Sequence, residues 1–212
     1  MSDSTVDQNA VFLNIPYDEA FADLYIAYIV GLVDHGLTPR AALENRTGAA
    51  RLEYIFDLIK SCRYSIHDLS RTEVDPGNPL PRFNMPFELG LSVAWAKMGI
   101  PAPSPSDHSF YAFESHSYRG QRTTSDMAPF DFKNHGGKPM GIFAELCNIF
   151  IRKDSHPEVP DMLRHYEMVM ASVAEIKRIT GNTSLFQARP FNELVWLAVK
   201  VRDDDRIHIT NP

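Results

Sequence analysis

The most constraining feature of this sequence is a regular alternation of short apolar runs and amphipathic segments across its first half. The apolar runs are typical of buried strands, and in the amphipathic segments apolar residues recur every three or four positions, as in helices. Strands are predicted near 11–15, 37–43, 64–68 and 109–114, and helices near 18–35, 48–62 and 84–98. This alternation predicts a parallel sheet wrapped by helices, because neighbouring parallel strands need long crossover connections.

The rest of the chain suggests an organisation in three segments. Residues 1–9 are polar and are expected to form a flexible N-terminus, and residues 10–138 are expected to form the α/β domain. Residues 139–212 are interpreted as a C-terminal helical extension packed on the same domain. Its helical patterns cover 139–153, 160–180 and 190–202.

Composition narrows the class of partner. The net charge is −6 and the pI is about 5.7, so an extended nucleic acid is not expected, because phosphate binding needs clustered Lys and Arg. Cys62 and Cys147 lie in separate segments interpreted as helical and lack metal-ligand spacing, which predicts buried free thiols and no metal site. The N-terminus does not resemble a signal peptide and no apolar run could cross a bilayer, so a cytoplasmic protein without a membrane partner is expected.

Polar and ionisable residues follow each predicted strand. The carboxyl ends of parallel strands meet at one edge of a sheet, where ligands of such sheets bind. The residues expected to converge there are Asn14, Tyr17, Arg40, Arg46, His67, Asp68, Ser70, Asn84, Glu88 and Arg119.

Each of these residues also has a purely structural interpretation. Glu88, predicted in the first turn of the third helix, is favoured there by the helix dipole alone, by about 0.3–1 kcal/mol. Asp68 is typical of a turn or cap after a strand. Tyr17 could simply pack, His67 could satisfy a local hydrogen bond, and the arginines could be solvated.

Three segments in order, "VFLNIPY", "SIHDLS" and "FNMPFELGLSVAWAKMG", resemble the nucleoside 2-deoxyribosyltransferase superfamily and the related TIR-like domains over residues 10–115. The resemblance implies a flavodoxin-like parallel sheet. It also implies that Glu88 is the carboxylate that attacks the anomeric carbon and that Tyr17 lines the sugar pocket. Asp68 matches the acid after the third strand and is expected to be a second catalytic residue, which orients the sugar or the leaving group. The chain departs from the pattern in two places. It lacks a second acid shortly before Glu88, and "NIPYDEAF" lacks a Gly- and Ser-rich phosphate cradle.

The function implied is cleavage or transfer of an N-glycosidic bond on a nucleoside, nucleotide or NAD. NAD would be a substrate, and no cofactor is implied. The alternative is a nucleotide-sensing or TIR-like interaction module without turnover. If Glu88 is catalytic, Glu88→Gln is expected to abolish cleavage and to change stability only by an amount similar to the dipole contribution.

Two further expectations concern the second half of the chain. Residues 115–138 are long, aromatic and basic for a loop, which predicts a lid carrying Tyr118, Arg119, Arg122 and Asp126, or alternatively an ordered surface loop. The helices at 139–153 and 160–180 carry many apolar residues, which predicts a homodimer or larger assembly, or alternatively packing inside the monomer. These residues are Phe143, Leu146, Ile149, Phe150, Met162, Met168 and Met170.

Overall fold

The computed structural model describes residues 6–45, 50–72, 82–98, 108–116, 130–151 and 157–210. The strands in these ranges are β1 (Asp7–Asn14), β2 (Thr38–Ala41), β3 (Cys62–Asp68), β4 (Ser109–Glu114) and β5 (Lys133–Asn134). The α-helices are α1 (Ala22–Asp34), α2 (Arg51–Ser61), α3 (Asn84–Met98), α4 (Pro139–Ile149), α5 (Val159–Ala171), α6 (Val173–Thr180) and α7 (Ala188–Thr210).

The strands form one parallel sheet in the order β2-β1-β3-β4-β5. In the register of β1 with β3, Asn14 pairs with His67, and in the register of β3 with β4, Asp68 pairs with Phe113. The carboxyl ends of these three strands therefore lie at one edge of the sheet. The predicted α/β class, a flavodoxin-like parallel sheet flanked by helices with a C-terminal helical extension, is confirmed.

The chain divides into two compact units. The sheet unit comprises Met1–Pro16 and Arg40–Gly136, and the helical unit comprises Tyr17–Pro39 and Gly137–Pro212. In the sheet unit, α2 and α3 pack on the sheet. One core cluster joins α2 to β1 and includes Ala10, Phe12, Ile55 and Ile59. A second cluster under α3 consists of Leu69, Met85, Leu89 and Ala112.

Helix α1 is central to the helical unit, where it contacts α4, α5 and α7. Every residue of α1 from Leu24 to Asp34 is buried, which explains why its sequence is apolar on nearly all sides. The helix ends at a glycine: Gly36 has a φ of 69°. The Gly36 and Leu37 amides donate to the carbonyls of Val33 and Leu32 at 2.8 and 2.9 Å, a pairing that closes helix ends stably.

Polar contacts from other helices also converge on the end of α1. His165 Nδ1 of α5 lies 3.0 Å from both carboxylate oxygens of Asp34. Arg202 of α7 donates from Nη1 to the Val33 carbonyl at 2.8 Å. None of the helices in the described part of the chain is both long and apolar enough to span a membrane.

The structure differs from the sequence prediction in several elements. Strand β1 begins at Asp7, within the segment 1–9 that was expected to be a flexible N-terminus. Strand β5 was not predicted, because its two residues lie in a polar stretch. The helix predicted over 160–180 is broken at Ser172 into α5 and α6. Cys62 was expected in a helix but begins β3, where it is buried, and burial raises the pKa of its thiol to about 12. Cys147 is half-buried in α4 as a free thiol.

Most of the apolar residues that suggested an oligomer are covered by the chain itself. Phe143, Leu146, Phe150 and Met162 are buried, whereas Met168 is exposed. This favours the internal-packing alternative for four of the seven residues, and the homodimer stays a prediction. The packing of residues 139–212 on the α/β domain also stays a prediction.

Close packing around α1 predicts opposite tolerance at two helical glycines. A Cβ at Gly31 would lie 2.6 Å from Leu146 Cδ1 and 3.1 Å from Phe143 Cδ1, whereas a Cβ at Gly90 of α3 would meet nothing within 4 Å. Gly31→Val is expected to lower the free energy of unfolding by about 1–3 kcal/mol through overpacking. Gly90→Val is expected to change it by no more than about 0.5 kcal/mol. Denaturant unfolding measures both, and equal losses would contradict the packing of α1 described above.

Candidate functional site

The strand order places the point where the chain connections diverge between β1 and β3, and the region outside the carboxyl ends of these two strands is called the crevice below. The next strand after β1 lies on one side of it and the next strand after β3 lies on the other, and ligands of open α/β sheets bind where connections diverge in this way. Asn14 is the last residue of β1, and its partner His67 directly precedes Asp68 at the end of β3. Three residues selected from the sequence therefore meet where this fold favours a ligand.

Glu88 lies on the buried side of α3. The helix begins at Asn84 and its first turn contains no acidic residue, so Glu88 belongs to the second turn and the first-turn prediction is wrong. Its side chain is only 5% exposed. The neighbouring Leu89 packs with Leu69, the residue after Asp68. The turn of α3 that carries Glu88 therefore lies against the chain that leaves β3.

Burial dominates the ionisation of Glu88. It raises the pKa of the carboxyl from 4.5 to about 7, and the positive charge of Arg51 at the start of α2 offsets only part of this rise. The helix dipole acts mainly within the first turn, so it does not hold Glu88 ionised as the sequence had suggested. A carboxyl that titrates near neutral pH is typical of catalytic groups, because both of its protonation states are accessible there.

Asn14 connects the crevice to the beginning of α3. Its side-chain amide nitrogen, Nδ2, donates to the Met85 carbonyl at 3.0 Å and lies 2.9 Å from His67 Nδ1. Asn14 is 3% exposed. One amide therefore joins β1, β3 and the helical turn that precedes Glu88.

The contacts of His67 continue into the sheet unit as a chain of hydrogen bonds. His67 Nε2 lies 2.9 Å from Ser65 Oγ, which lies 3.0 Å from His108 Nε2. His108 Nδ1 in turn lies 2.9 Å from the Cys62 carbonyl. Burial lowers the pKa of His67 to about 3 and also lowers that of His108, so both imidazoles are neutral at physiological pH.

Asp68 belongs to a second cluster of buried polar groups. Its Oδ1 accepts the Ser70 amide at 2.8 Å, and its Oδ2 lies 3.1 Å from His135 Nε2. Ser70 Oγ also lies 3.1 Å from His135 Nε2. A nucleophile triad needs the two imidazole nitrogens to face different partners, whereas here one nitrogen faces both. The cluster therefore positions the end of β3, and the turn role considered for Asp68 is realised by the Ser70 contact.

The remaining predicted site residues lie elsewhere in the described structure or outside it. Arg40 Nε donates to the Glu44 carboxylate at 3.0 Å, so its charge is paired within the chain. Asn84 is exposed at the first position of α3. Tyr17 belongs to the helical unit, where its ring contacts those of Tyr25 and Phe186, and its role in a sugar pocket stays a prediction. Arg46, Arg119 and the other lid residues, Tyr118, Arg122 and Asp126, lie outside the described residues.

Sequence reasoning did not select Ser65, His108 or His135. Ser65 and His135 pair with His67 and Asp68 at the end of β3, and His108 pairs with Ser65. His108 directly precedes β4 and His135 directly follows β5. A usable signal was the presence of polar side chains in an otherwise apolar strand, "YSIHDL", because buried polar groups require partners. Among the described residues, no three His, Cys, Asp or Glu side chains form a group that could hold a metal ion.

Comparison with known proteins finds no matching family model, no matching curated protein and no matching solved structure. The site is therefore interpreted from its own geometry.

The raised pKa of Glu88 predicts a specific dependence of stability on pH. Below pH 4.5 the carboxyl is protonated in both the folded and the unfolded chain. Between 4.5 and about 7 only the unfolded chain ionises readily, so folding becomes progressively less favourable as pH rises. Glu88→Gln removes this effect. The variant is expected to match the parent near pH 4 and to exceed its free energy of unfolding at pH 8, by an amount on the order of 3 kcal/mol.

Denaturant unfolding at both pH values measures this difference. Glu53→Gln is the matched control, because Glu53 is exposed in α2 and the same substitution there relieves no burial. A Glu88→Gln protein with no gain over the control at pH 8 would show that Glu88 is not a buried, unfavourably ionised group. This expectation replaces the small stability change predicted for a first-turn glutamate.

Proposed function

We propose that this protein cleaves or transfers the N-glycosidic bond of a nucleoside, a nucleotide or NAD, with Glu88 as the reacting carboxylate. The observation that carries the proposal is a buried glutamate with a pKa near 7. It follows the helical turn whose Met85 carbonyl accepts a hydrogen bond from Asn14 at the end of β1. The resemblance of the sequence to nucleoside 2-deoxyribosyltransferases and TIR-like domains supports the same assignment, since it places the reacting carboxylate at Glu88.

The chemistry fits a carboxylate in an apolar setting. As the glycosidic bond breaks, its electron pair leaves with the base and the sugar carbon becomes cationic. The Glu88 carboxylate attacks that carbon and forms a glycosyl ester. Water or a second base then attacks the same carbon, which releases the sugar or a new nucleoside and restores the carboxylate. Burial leaves the charge of Glu88 poorly compensated before the reaction, so the attraction to a developing cation is strong.

In this proposal the other residues of the crevice orient the substrate or hold the strand ends in place. Asn14 offers a hydrogen bond to the sugar, and Ser70 lies after β3 at the same edge of the sheet. Asp68 directs both carboxylate oxygens into contacts with Ser70 and His135. We therefore assign Asp68 to holding the end of β3 in place, and not to bonding with the substrate carbon.

A nucleotide-sensing module without turnover is the second candidate. The observation that favours it is the same pairing of Asp68, because it leaves Glu88 without a second acid free to assist departure of the base. In that case the crevice would bind a nucleoside or nucleotide and leave the glycosidic bond intact.

Base release separates the two candidates. The parent is expected to release base from adenosine, deoxyadenosine, AMP or NAD, as measured by chromatography. Glu88→Gln is expected to reduce this rate by roughly three powers of ten or more, because it removes the attacking negative charge while keeping the size of the side chain. Since the carboxylate form attacks, kcat/KM should rise with pH up to about 7 and then level off.

The exposed Glu53→Gln variant provides the control and should retain the parental rate. Parental turnover by Glu88→Gln would reject Glu88 as the reacting group. Binding of these compounds by the parent without any base release would favour the sensing module.

A further inference from the structure

A chain of hydrogen bonds runs from the Cys62 carbonyl through His108, Ser65, His67 and Asn14 to the Met85 carbonyl. The donor and the acceptor of each bond in this chain can be assigned. Both of its ends are backbone carbonyls, those of Cys62 and Met85, and carbonyls only accept hydrogen bonds. His108 Nδ1 must therefore carry a proton in order to donate to Cys62 at 2.9 Å. At the other end, Asn14 must place its NH₂ group towards Met85 at 3.0 Å, because the opposite orientation would set two carbonyl oxygens against each other.

The assignments at these two ends determine which atom donates and which accepts in every group between them. Neutral His108, protonated on Nδ1, has a bare Nε2, which accepts the Ser65 hydroxyl proton across 3.0 Å. Ser65 Oγ then accepts from His67 Nε2 across 2.9 Å. His67 Nδ1 is bare in consequence and accepts the second NH₂ proton of Asn14 across 2.9 Å. With both histidines neutral, these are the only tautomers in which all five contacts are hydrogen bonds.

The remaining polar atom of this amide is the Asn14 carbonyl oxygen, Oδ1. Both NH₂ protons are used by Met85 and His67. Asn14 Oδ1 has no hydrogen-bond partner among the described residues, and it is not one of their enclosed unpaired side-chain atoms. This oxygen is therefore not fully enclosed, and it lies at the end of β1, where the fold favours a ligand.

We propose that Ser65, His67 and His108 are positioning residues that lock the Asn14 amide, so that the crevice presents a fixed hydrogen-bond acceptor to its ligand. The ligand group that it recognises is a donor, namely a sugar hydroxyl or a base N–H, and not a phosphate or other anion. The inference deepens the proposed function and rests on it for the location of the ligand. It adds the chemistry of one contact and the residues that enforce that chemistry.

Ring-nitrogen NMR of the free protein tests the lock directly. At pH 7.5 the parent is expected to show His67 protonated on Nε2 alone and His108 protonated on Nδ1 alone, and the His67 signals are expected to stay unchanged between pH 5 and pH 8. Protonation of His67 Nδ1 would overturn the proposal, because Asn14 would then face a donor with its own donor.

Two serine variants distinguish positioning from general packing. Ser65→Ala breaks the chain between the histidines, whereas Ser92→Ala removes an equally buried hydroxyl that has no hydrogen-bond partner among the described residues. Loss of one hydrogen bond of ordinary strength corresponds to about tenfold in an equilibrium. Ser65→Ala is therefore expected to speed exchange of the Asn14 side-chain NH₂ protons with water by about tenfold and to mix the His67 tautomers. Ser92→Ala should leave both unchanged, and equal behaviour of the two variants would overturn the lock.

The ligand class is tested by adding adenosine or sodium sulfate at matched concentrations to the parent. Adenosine carries hydroxyl and N–H donors, and sulfate only accepts. The Asn14 side-chain signals are expected to shift with adenosine and not with sulfate. A shift with sulfate alone, or with neither compound, would overturn the assignment of a donor-selective contact.

These readouts are independent of turnover. If adenosine shifts the Asn14 signals but no base is released, the catalytic proposal fails and the acceptor assignment stands. If base is released without any shift at Asn14, the acceptor assignment fails and the catalytic proposal stands.

Discussion

Strand β3 buries three polar side chains completely, and the arrangement around the crevice depends on pairing each of them. Ser65, His67 and Asp68 are all 0% exposed. A buried polar group left without a partner costs about 1–3 kcal/mol. If these three side chains lacked partners, the free energy of unfolding would fall by several kcal/mol, a large part of the stability of an ordinary domain. Their partners come from segments outside β3: the end of β1, the residue before β4 and the residue after β5. These partners are Asn14, His108 and His135.

This pairing links the register of the sheet to the geometry of the crevice. A shift of one residue in β3 would turn each of its side chains to the opposite face of the sheet and would separate Ser65, His67 and Asp68 from the partners described above. The polar side chains therefore specify one register in a strand that apolar packing alone would specify less sharply. The same contacts position Asn14 and, through Met85, the helical turn that precedes Glu88.

Glu88 differs from the polar residues of β3 because its burial is not compensated by hydrogen bonds from described residues. It is almost as deeply buried, but no described residue donates a hydrogen bond that would restore its ionised form, and burial therefore raises its pKa. A group that destabilises the folded chain at neutral pH is expected where function requires it. The contrast between the fully paired groups of β3 and the poorly compensated glutamate of α3 is the main physical support for a reactive site.

The sequence predicted the parallel sheet, its first four strands and the residues at the ends of β1 and β3, because these depend on apolar periodicity and on chain connectivity. It did not predict β5, which is too short to show a pattern, or the break at Ser172, where the apolar spacing runs on unchanged. It placed Glu88 in the first helical turn and therefore assigned the helix dipole a larger effect than burial. The partners Ser65 and His108 are 43 residues apart, and local sequence carries no information about a contact of that kind.

Carbon-13 NMR titration of the Glu88 side-chain carboxyl, assigned by its absence in Glu88→Gln, tests the central claim most directly. The structure predicts a single midpoint near pH 7, because the carboxyl is buried and only partly compensated by Arg51. A midpoint near 4.5 would show a solvated or well-paired glutamate and would contradict the assignment of Glu88 as the reactive group of the crevice.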